Sequence, residues 1–271
     1  VFTSVPLLGN PVAVVLDSDG LTTEQMQTFC DWTNLSEATF LVPPTHPDAD
    51  YAVRIFCPGR ELPFAGHPTL GTCHAWLEAG GVPKDETIQQ ECGVGLVPIR
   101  RDAESGALAF AAPPRRLRGP LSDGDVDEVA AALRIGRDRI VAHEWCDNGP
   151  GWRAVLLDSA DEVLALQPDP ALAARMDIGV VGPHAAGGPA DVEVRAFFPG
   201  NGGSLAEDPV TGSLNAALGQ WLIGSGRLPE RYVARQGTAL GRDGRVEVEL
   251  VDGEVWVGGA SVTVLTGSAA L

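Results

Sequence analysis

Two diverged copies of one unit lie in this chain, 141 residues apart. Val53, Arg54, Phe56, Pro58, Gly59, Ala65, Pro68, Gly71, Ala75 and Leu77 recur as Val194, Arg195, Phe197, Pro199, Gly200, Ala206, Pro209, Gly212, Ala216 and Leu218. The same offset carries AVVLD at Ala13–Asp17 onto AVLLD at Ala154–Asp158, with no gap between the blocks. Ordinary composition would give only about one or two identities in such a window. Self-similarity at a fixed period dictates architecture before any local pattern does. Two long copies predict two similar domains about a pseudo-twofold axis, with the site in the cleft between them.

The length, 271 residues, suits two such domains, and 44% apolar residues is ordinary globular composition. A formal net charge of −17 argues against nucleic acid as a partner. Any anionic substrate must then be held by backbone donors or by single Arg and His residues. Five cysteines without a CxxC pair suit free thiols in a cytoplasmic protein better than a disulfide framework. No apolar run approaches the roughly 20 residues of a membrane span.

Strand-like runs rich in β-branched residues recur: PVAVVLD, ATFLVP, YAVRIF, WRAVLLD, VEVRAFF, RVEVELV and EVWVGGASVTVL. Helices are sparse. Thr22 caps one over Glu24 to Cys30, Pro68 opens a second to about Ala79, and Pro209 opens its copy to about Leu222. Asp125 to Leu133 and Ala171 to Met176 are two more candidates. This balance predicts an α+β class, with two barrel-like domains, each a curved sheet around a central helix. The domains are placed at 1–112 and 113–259, with a C-terminal strand around 260–271 free to return to the first. The boundary lies in the proline- and arginine-rich APPRRLRGP.

Each copy ends in a helix start rich in Gly and small hydroxyls, AGHPTLGT at Ala65–Thr72 and AEDPVTGS at Ala206–Ser213. Helix starts leave N–H groups unpaired and carry the positive end of the dipole, so both are ready carboxylate or phosphate sites. At the 141-residue offset His67 and Asp208 fall on equivalent positions, facing each other with different acid–base character. The plainer alternatives are an N-cap for Asp208 and a structural loop role for His67. Glu37 in NLSEATF has no acidic counterpart, because position 178 is Ile. Buried, it would suit proton shuttling; otherwise it is a surface turn residue. His74 and Glu78 have helical spacing but no third ligand, which favours a solvated pair over a metal. Arg54 and Arg195 are either structural or substrate-facing.

GNPVAVVLD, NLSEATF, VRIFCPGRELPFAGHPTLGT, EDPVTGS and the closing QG…GR…VEVEL…VWVGG together resemble the phenazine-biosynthesis isomerase-like (PhzF-like) family, from Phe2 to Gly267. The resemblance implies the diaminopimelate-epimerase type of fold and a homodimer. It implies an isomerase that needs no cofactor or metal and moves a proton between carbons of a small cyclic or unsaturated carboxylic acid. Glu37 matches the family's acid/base, with Asp208 and His67 as its partners. Gly66, His67, Gly212 and Ser213 match the segments that embrace the substrate carboxylate. Gly66 and Gly212 stand where related epimerases carry thiols, which disfavours a two-thiol racemase. Epimerisation at one carbon, or a binding protein that has lost turnover, are the alternative readings. Leu214-Asn215 departs from the Ala-His that many members carry after EDPVTGS, which bears on substrate choice.

Overall fold

The computed structural model describes residues 1–271, the Asn201 side chain excepted. The chain divides into two compact units, Val1–Ala111 with Gly258–Leu271, and Ala112–Val257.

The first unit contains β1 (Ala13–Val15), α1 (Thr23–Thr33), β2 (Ala38–Val42), β3 (Tyr51–Cys57), β4 (Arg60–Leu62), α2 (Gly66–Glu78), β5 (Ile88–Cys92), β6 (Gly95–Arg101) and β7 (Leu108–Ala111). Its strands run in the order β1-β2-β3-β5-β6-β7, with β4 folded back on β3. β1 and β2 are parallel, β2 and β3 antiparallel, β3 and β5 parallel, and β5 and β6 antiparallel. α2 touches β1 and β2 at one end of this order and β7 at the other, so the sheet curls around it. All of its first eight residues are buried, from Gly66 to Cys73, the signature of a helix enclosed on every side. Gly71 permits that enclosure, because a Cβ there would stand 2.4 Å from Val12 Cγ1. α1 lies outside the sheet. Thr22 caps it with a full capping box, and Met26 and Cys30 pack on Ala38, Phe40 and Phe56.

The second unit contains α3 (Asp123–Leu133), β8 (Ala142–Asp147), β9 (Gly151–Leu156), α4 (Ala160–Ala165), α5 (Pro170–Ala173), β10 (Ile178–Pro183), β11 (Val192–Pro199), β12 (Leu205–Asp208), α6 (Gly212–Gly224), β13 (Arg231–Gln236), β14 (Gly244–Val251) and, as far as Val257, β15 (Glu254–Gly259). Its order is β8-β9-β10-β11-β13-β14-β15, with β12 folded back on β11. From β9 onward the pairings run parallel, antiparallel, parallel, antiparallel, the same series as in the first unit. α6 is the enclosed helix here and packs on β8 and β14. Leu121, Val126, Val129 and Leu133 join Val155, Leu157, Ile178, Val180 and Phe197 in a core beneath α3.

Matching topology makes the duplication structural, with one correction to the expected alignment. The offset of 141 holds as far as β3 and β11 but becomes 146 at β4 and β12 and at the helices, since Gly66 opens α2 and Gly212 opens α6. The Pro58-Gly59 turn between β3 and β4 has become a longer loop between Pro199 and Leu205. Pro68 is therefore the third residue of its helix, whereas Pro209 precedes its helix altogether. α4 was not anticipated, and α5 ends at Ala173. After Gly259 the chain carries no strand; residues 260–271 lie with the first unit as irregular backbone.

Candidate functional site

Glu37 sits where α1 gives way to β2. Asn34 closes α1 in the left-handed conformation (φ 55°), a role Asn fills second only to Gly. The chain then reverses into β2, and the Glu37 carbonyl accepts from Ala13 N–H of β1 at 3.4 Å. Its side chain is 17% exposed, which sets aside the surface-turn alternative. Thr72 of α2 donates to the buried Thr39 hydroxyl at 2.8 Å, locking the helix against the strand that follows Glu37.

His67 is the second residue of α2, not a loop residue, and is 4% exposed. Its Nε2 lies 3.3 Å from Glu37 Oε2, longer and less well aligned than a closed hydrogen bond. Burial, and after it the positive charge of the Val1 ammonium, push the imidazole down to about 3, the Pro11 carbonyl working the other way, so the ring is neutral. On its other edge Nδ1 lies 3.4 Å from Asn10 Nδ2. The first unit thus joins a carboxylate and an uncharged imidazole at the start of an enclosed helix.

The second unit builds its helix start differently. By the 146-residue offset the counterpart of His67 is Ser213, not Asp208, which corrects the equivalence expected from the sequence. Asp208 ends β12 and is not an N-cap, because Thr211 holds that position. The Thr211 hydroxyl donates to Asp208 Oδ2 at 2.7 Å. Ser213 Oγ accepts from Trp152 Nε1 at 3.2 Å, and its carbonyl accepts from Asn148 Nδ2 at 2.8 Å. Leu214 fits because β10 carries Gly179 opposite it, where a Cβ would stand 2.4 Å from Leu214 Cδ1. Asn215 is wholly buried beneath the Asp208–Thr211 turn.

The two enclosed helices share one departure from the other four. Thr22, Ser122, Ser159 and Asp169 cap α1, α3, α4 and α5 with their side chains. Neither Ala65 nor Thr211 caps its own helix that way. Gly66, His67 and Gly212 are nevertheless buried, so these amides are oriented donors at the positive ends of two helices, the requirement for holding an anion.

The remaining candidates are structural. Arg54 pairs with Glu61 and stacks over Phe56, and Arg195 pairs with Glu207 and stacks over Phe197. The Thr263 hydroxyl stands between His74 and Glu78, tying the C-terminal segment to α2. No group of three or more His, Cys, Asp or Glu residues that could hold a metal occurs among the described residues. Burial pushes the Cys73 thiol up to about 12, that of an inert core residue. The sequence reading gave no role to Asn10, Asn148, Trp152, Thr211 and Gln236, which support the site. Asn10, Trp152, Thr211 and Gln236 lie inside GNPVAVVLD, WRAVLLD, AEDPVTGS and the closing QG, and Asn148 lies in none of the motifs.

Comparison with known proteins agrees with the resemblance read from the motifs. A family model described as phenazine biosynthesis-like protein matches residues 1–267. The fission yeast (Schizosaccharomyces pombe) protein called Antisense-enhancing sequence 1 is 35% identical over 98% of this chain and 95% of its own length. The trans-2,3-dihydro-3-hydroxyanthranilate isomerase of Pseudomonas fluorescens is 33% identical, over 89% and 84%. Among solved structures, a phenazine biosynthesis protein of Enterococcus faecalis superposes with a TM-score of 0.79 at 25% identity, covering 100% of this chain and 96% of that one. A probable proline racemase of Agrobacterium radiobacter shares the fold at a TM-score of 0.59 and 15% identity, over 92% and 82%. Among the described residues no helix is long and apolar enough to cross a membrane.

Proposed function

This chain belongs to the phenazine biosynthesis-like protein family and is an isomerase, and from that premise we propose that it moves a proton between carbons of a small cyclic or unsaturated carboxylic acid, with Glu37 as the general acid/base. The observation that carries the reading is the partly buried Glu37 carboxylate, its enclosed Oε2 3.3 Å from a neutral, buried His67. An ionised Glu37 takes the substrate proton while His67 donates Nε2–H to it. Once Glu37 is protonated, the carbonyl oxygen of its acid form still accepts from the same Nε2–H, so no proton has to move on the ring. An uncharged ring serves both stages and adds no charge to the site. In this reading the amides at Gly66, His67, Gly212 and Ser213 hold the substrate carboxylate and stabilise charge developing beside it. Asp208 and Ser213 orient the substrate's polar groups. The five free thiols support a cytoplasmic setting, and the family reading carries a homodimer, which light scattering tests.

The experiment is proton transfer in deuterated water. trans-2,3-Dihydro-3-hydroxyanthranilate, the compound named for the Pseudomonas enzymes, is the first probe, followed by a panel of small cyclic and unsaturated acids. NMR should find hydrogen moved between two carbons. Exchange and inversion at a single carbon would point instead to epimerisation. Glu37→Gln keeps size and hydrogen bonding but cannot shuttle a proton, so turnover should fall at least about a hundredfold. A fully active Gln variant would end the mechanism.

A further inference from the structure

Gln236 and Asn215, both wholly buried, form the floor beneath the turn from Asp208 to Thr211. Gln236 Oε1 accepts from the Thr211 backbone N–H at 3.0 Å and from Asn215 Nδ2 at 2.9 Å. Asn215 Nδ2 also donates to the Thr211 carbonyl at 2.9 Å. A backbone N–H is always a donor, so it fixes which end of the Gln236 amide faces it. The amide nitrogen must point the other way. There Nε2 donates to the Asp208 carbonyl at 3.1 Å and to Thr211 Oγ1 at 2.8 Å. The Thr211 hydroxyl, already accepting from Nε2, has one proton to give, and it lies 2.7 Å from Asp208 Oδ2.

We propose that Gln236, secured by Asn215, is a positioning residue that acts through Thr211 to hold the Asp208 carboxylate in one orientation as an ionised acceptor. The proposal rests on the reading of Asp208 as a site residue. Every bond in the relay runs toward the carboxylate, and the last is of the strong, charge-assisted kind. Oδ2 is therefore held as an acceptor, and the proton traffic falls to Glu37 in the cycle proposed above.

The first unit uses a buried strand amide differently. Gln90 lies on the corresponding strand, two residues before the position that pairs as Gln236 does, and its Nε2 donates to the Thr69 hydroxyl at 3.0 Å, while Tyr51 donates to its Oε1 at 3.1 Å. That chain of bonds stops at hydroxyls and reaches no carboxylate. Arg195, beside the residue that pairs with Asp208 across β11, is bonded to Glu207 at 2.8 Å, and Arg235, beside Gln236, to Asp243 at 2.8 Å. The departure at Asn215 also finds a reason: its amide braces Gln236 and does not line a surface.

Carbon-13 NMR of the full-length labelled protein tests the relay without a substrate, using the Asp208 carboxyl signal assigned by its loss in Asp208→Asn. Thr211→Val keeps shape and removes the donor, so the Asp208 titration midpoint should rise by about one pH unit. Thr211→Ser restores the hydroxyl and should restore the midpoint. Gln236→Met frees the hydroxyl to turn away and should move the midpoint the same way, with no further rise when combined with Thr211→Val. Should Gln236→Met fail to fold, the two Thr211 variants still decide. An unmoved midpoint in Thr211→Val, or an equal rise in Thr211→Ser, overturns the relay. Full turnover in Asp208→Asn would instead remove Asp208 from the reaction, an outcome the titrations distinguish from failure of the relay.

Discussion

His67 permits a prediction whose size follows from the structure. Its imidazole is buried beside Glu37 and lowered to about 3, from 6.5 for a free histidine. Between those values the unfolded chain binds a proton that the folded protein refuses. Stability from this residue is therefore complete above about pH 7 and is lost as pH falls through 6.5 toward 3. By pH 5 the loss amounts to about 2 kcal/mol, and at pH 7.5 it is under about 0.1 kcal/mol. His67→Gln removes the titrating group and keeps a polar side chain. Urea unfolding of both proteins at pH 7.5 and 5.0 reads the effect as a difference between them. The gap in stability between wild type and variant should shift by about 2 kcal/mol in favour of the variant at pH 5. Proton NMR should show the His67 ring unchanged across pH 5 to 8. A ring titrating near 6.5, or a gap that ignores pH, would refute both the burial argument and the neutral partner on which the Glu37 cycle depends.

Two further expectations test the packing. Arg195 is 7% exposed, bonded to Glu207 at 2.8 Å and to the carbonyls of Val163 and Leu166, so Arg195→Met should cost about 3–5 kcal/mol by stranding those groups. Its counterpart Arg54 is 29% exposed against Glu61, and Arg54→Met should cost about 1 kcal/mol or less; equal losses on urea unfolding would contradict the contrast. Burial pushes the Cys73 and Cys146 thiols up to about 12 and Cys30 to about 11, so iodoacetamide at pH 8 should spare all three in the native protein and reach them after unfolding. Mass spectrometry of labelled peptides reads this directly, and native labelling of Cys73 would reopen a thiol role at the helix start.

The sequence disclosed the duplication because strands keep their register. Arg54 and Arg195 hold matching strand positions, each reaching a glutamate on the returning strand and stacking on a phenylalanine two residues along. Such constraints act over a few residues and survive divergence. Beyond the hairpin the identity count misled. Ala65, Pro68, Gly71, Ala75 and Leu77 match residues 141 further on, yet the helices they belong to are 146 apart. Small residues and proline are common to any enclosed helix start, so they agree by composition even when five residues out of step. A hairpin loop lengthens at small entropic cost, which is how the shift was accommodated without disturbing either sheet. The consequence reaches the chemistry. Out of step, His67 seemed to face Asp208 as its twin; in step, its twin is Ser213, and Asp208, at the end of β12, is bonded to Thr211 as His67 has Glu37 beside it. The supporting residues escaped notice for a different reason. Asn10, Asn148, Trp152 and Gln236 act by hydrogen bonds across long sequence separations, and a lone amide or indole in a strand or turn carries no local mark of its partner. Divergence between the halves therefore lies less in the motifs, which both copies display, than in what the buried amide behind each helix start is wired to: hydroxyls behind α2, and a carboxylate behind α6.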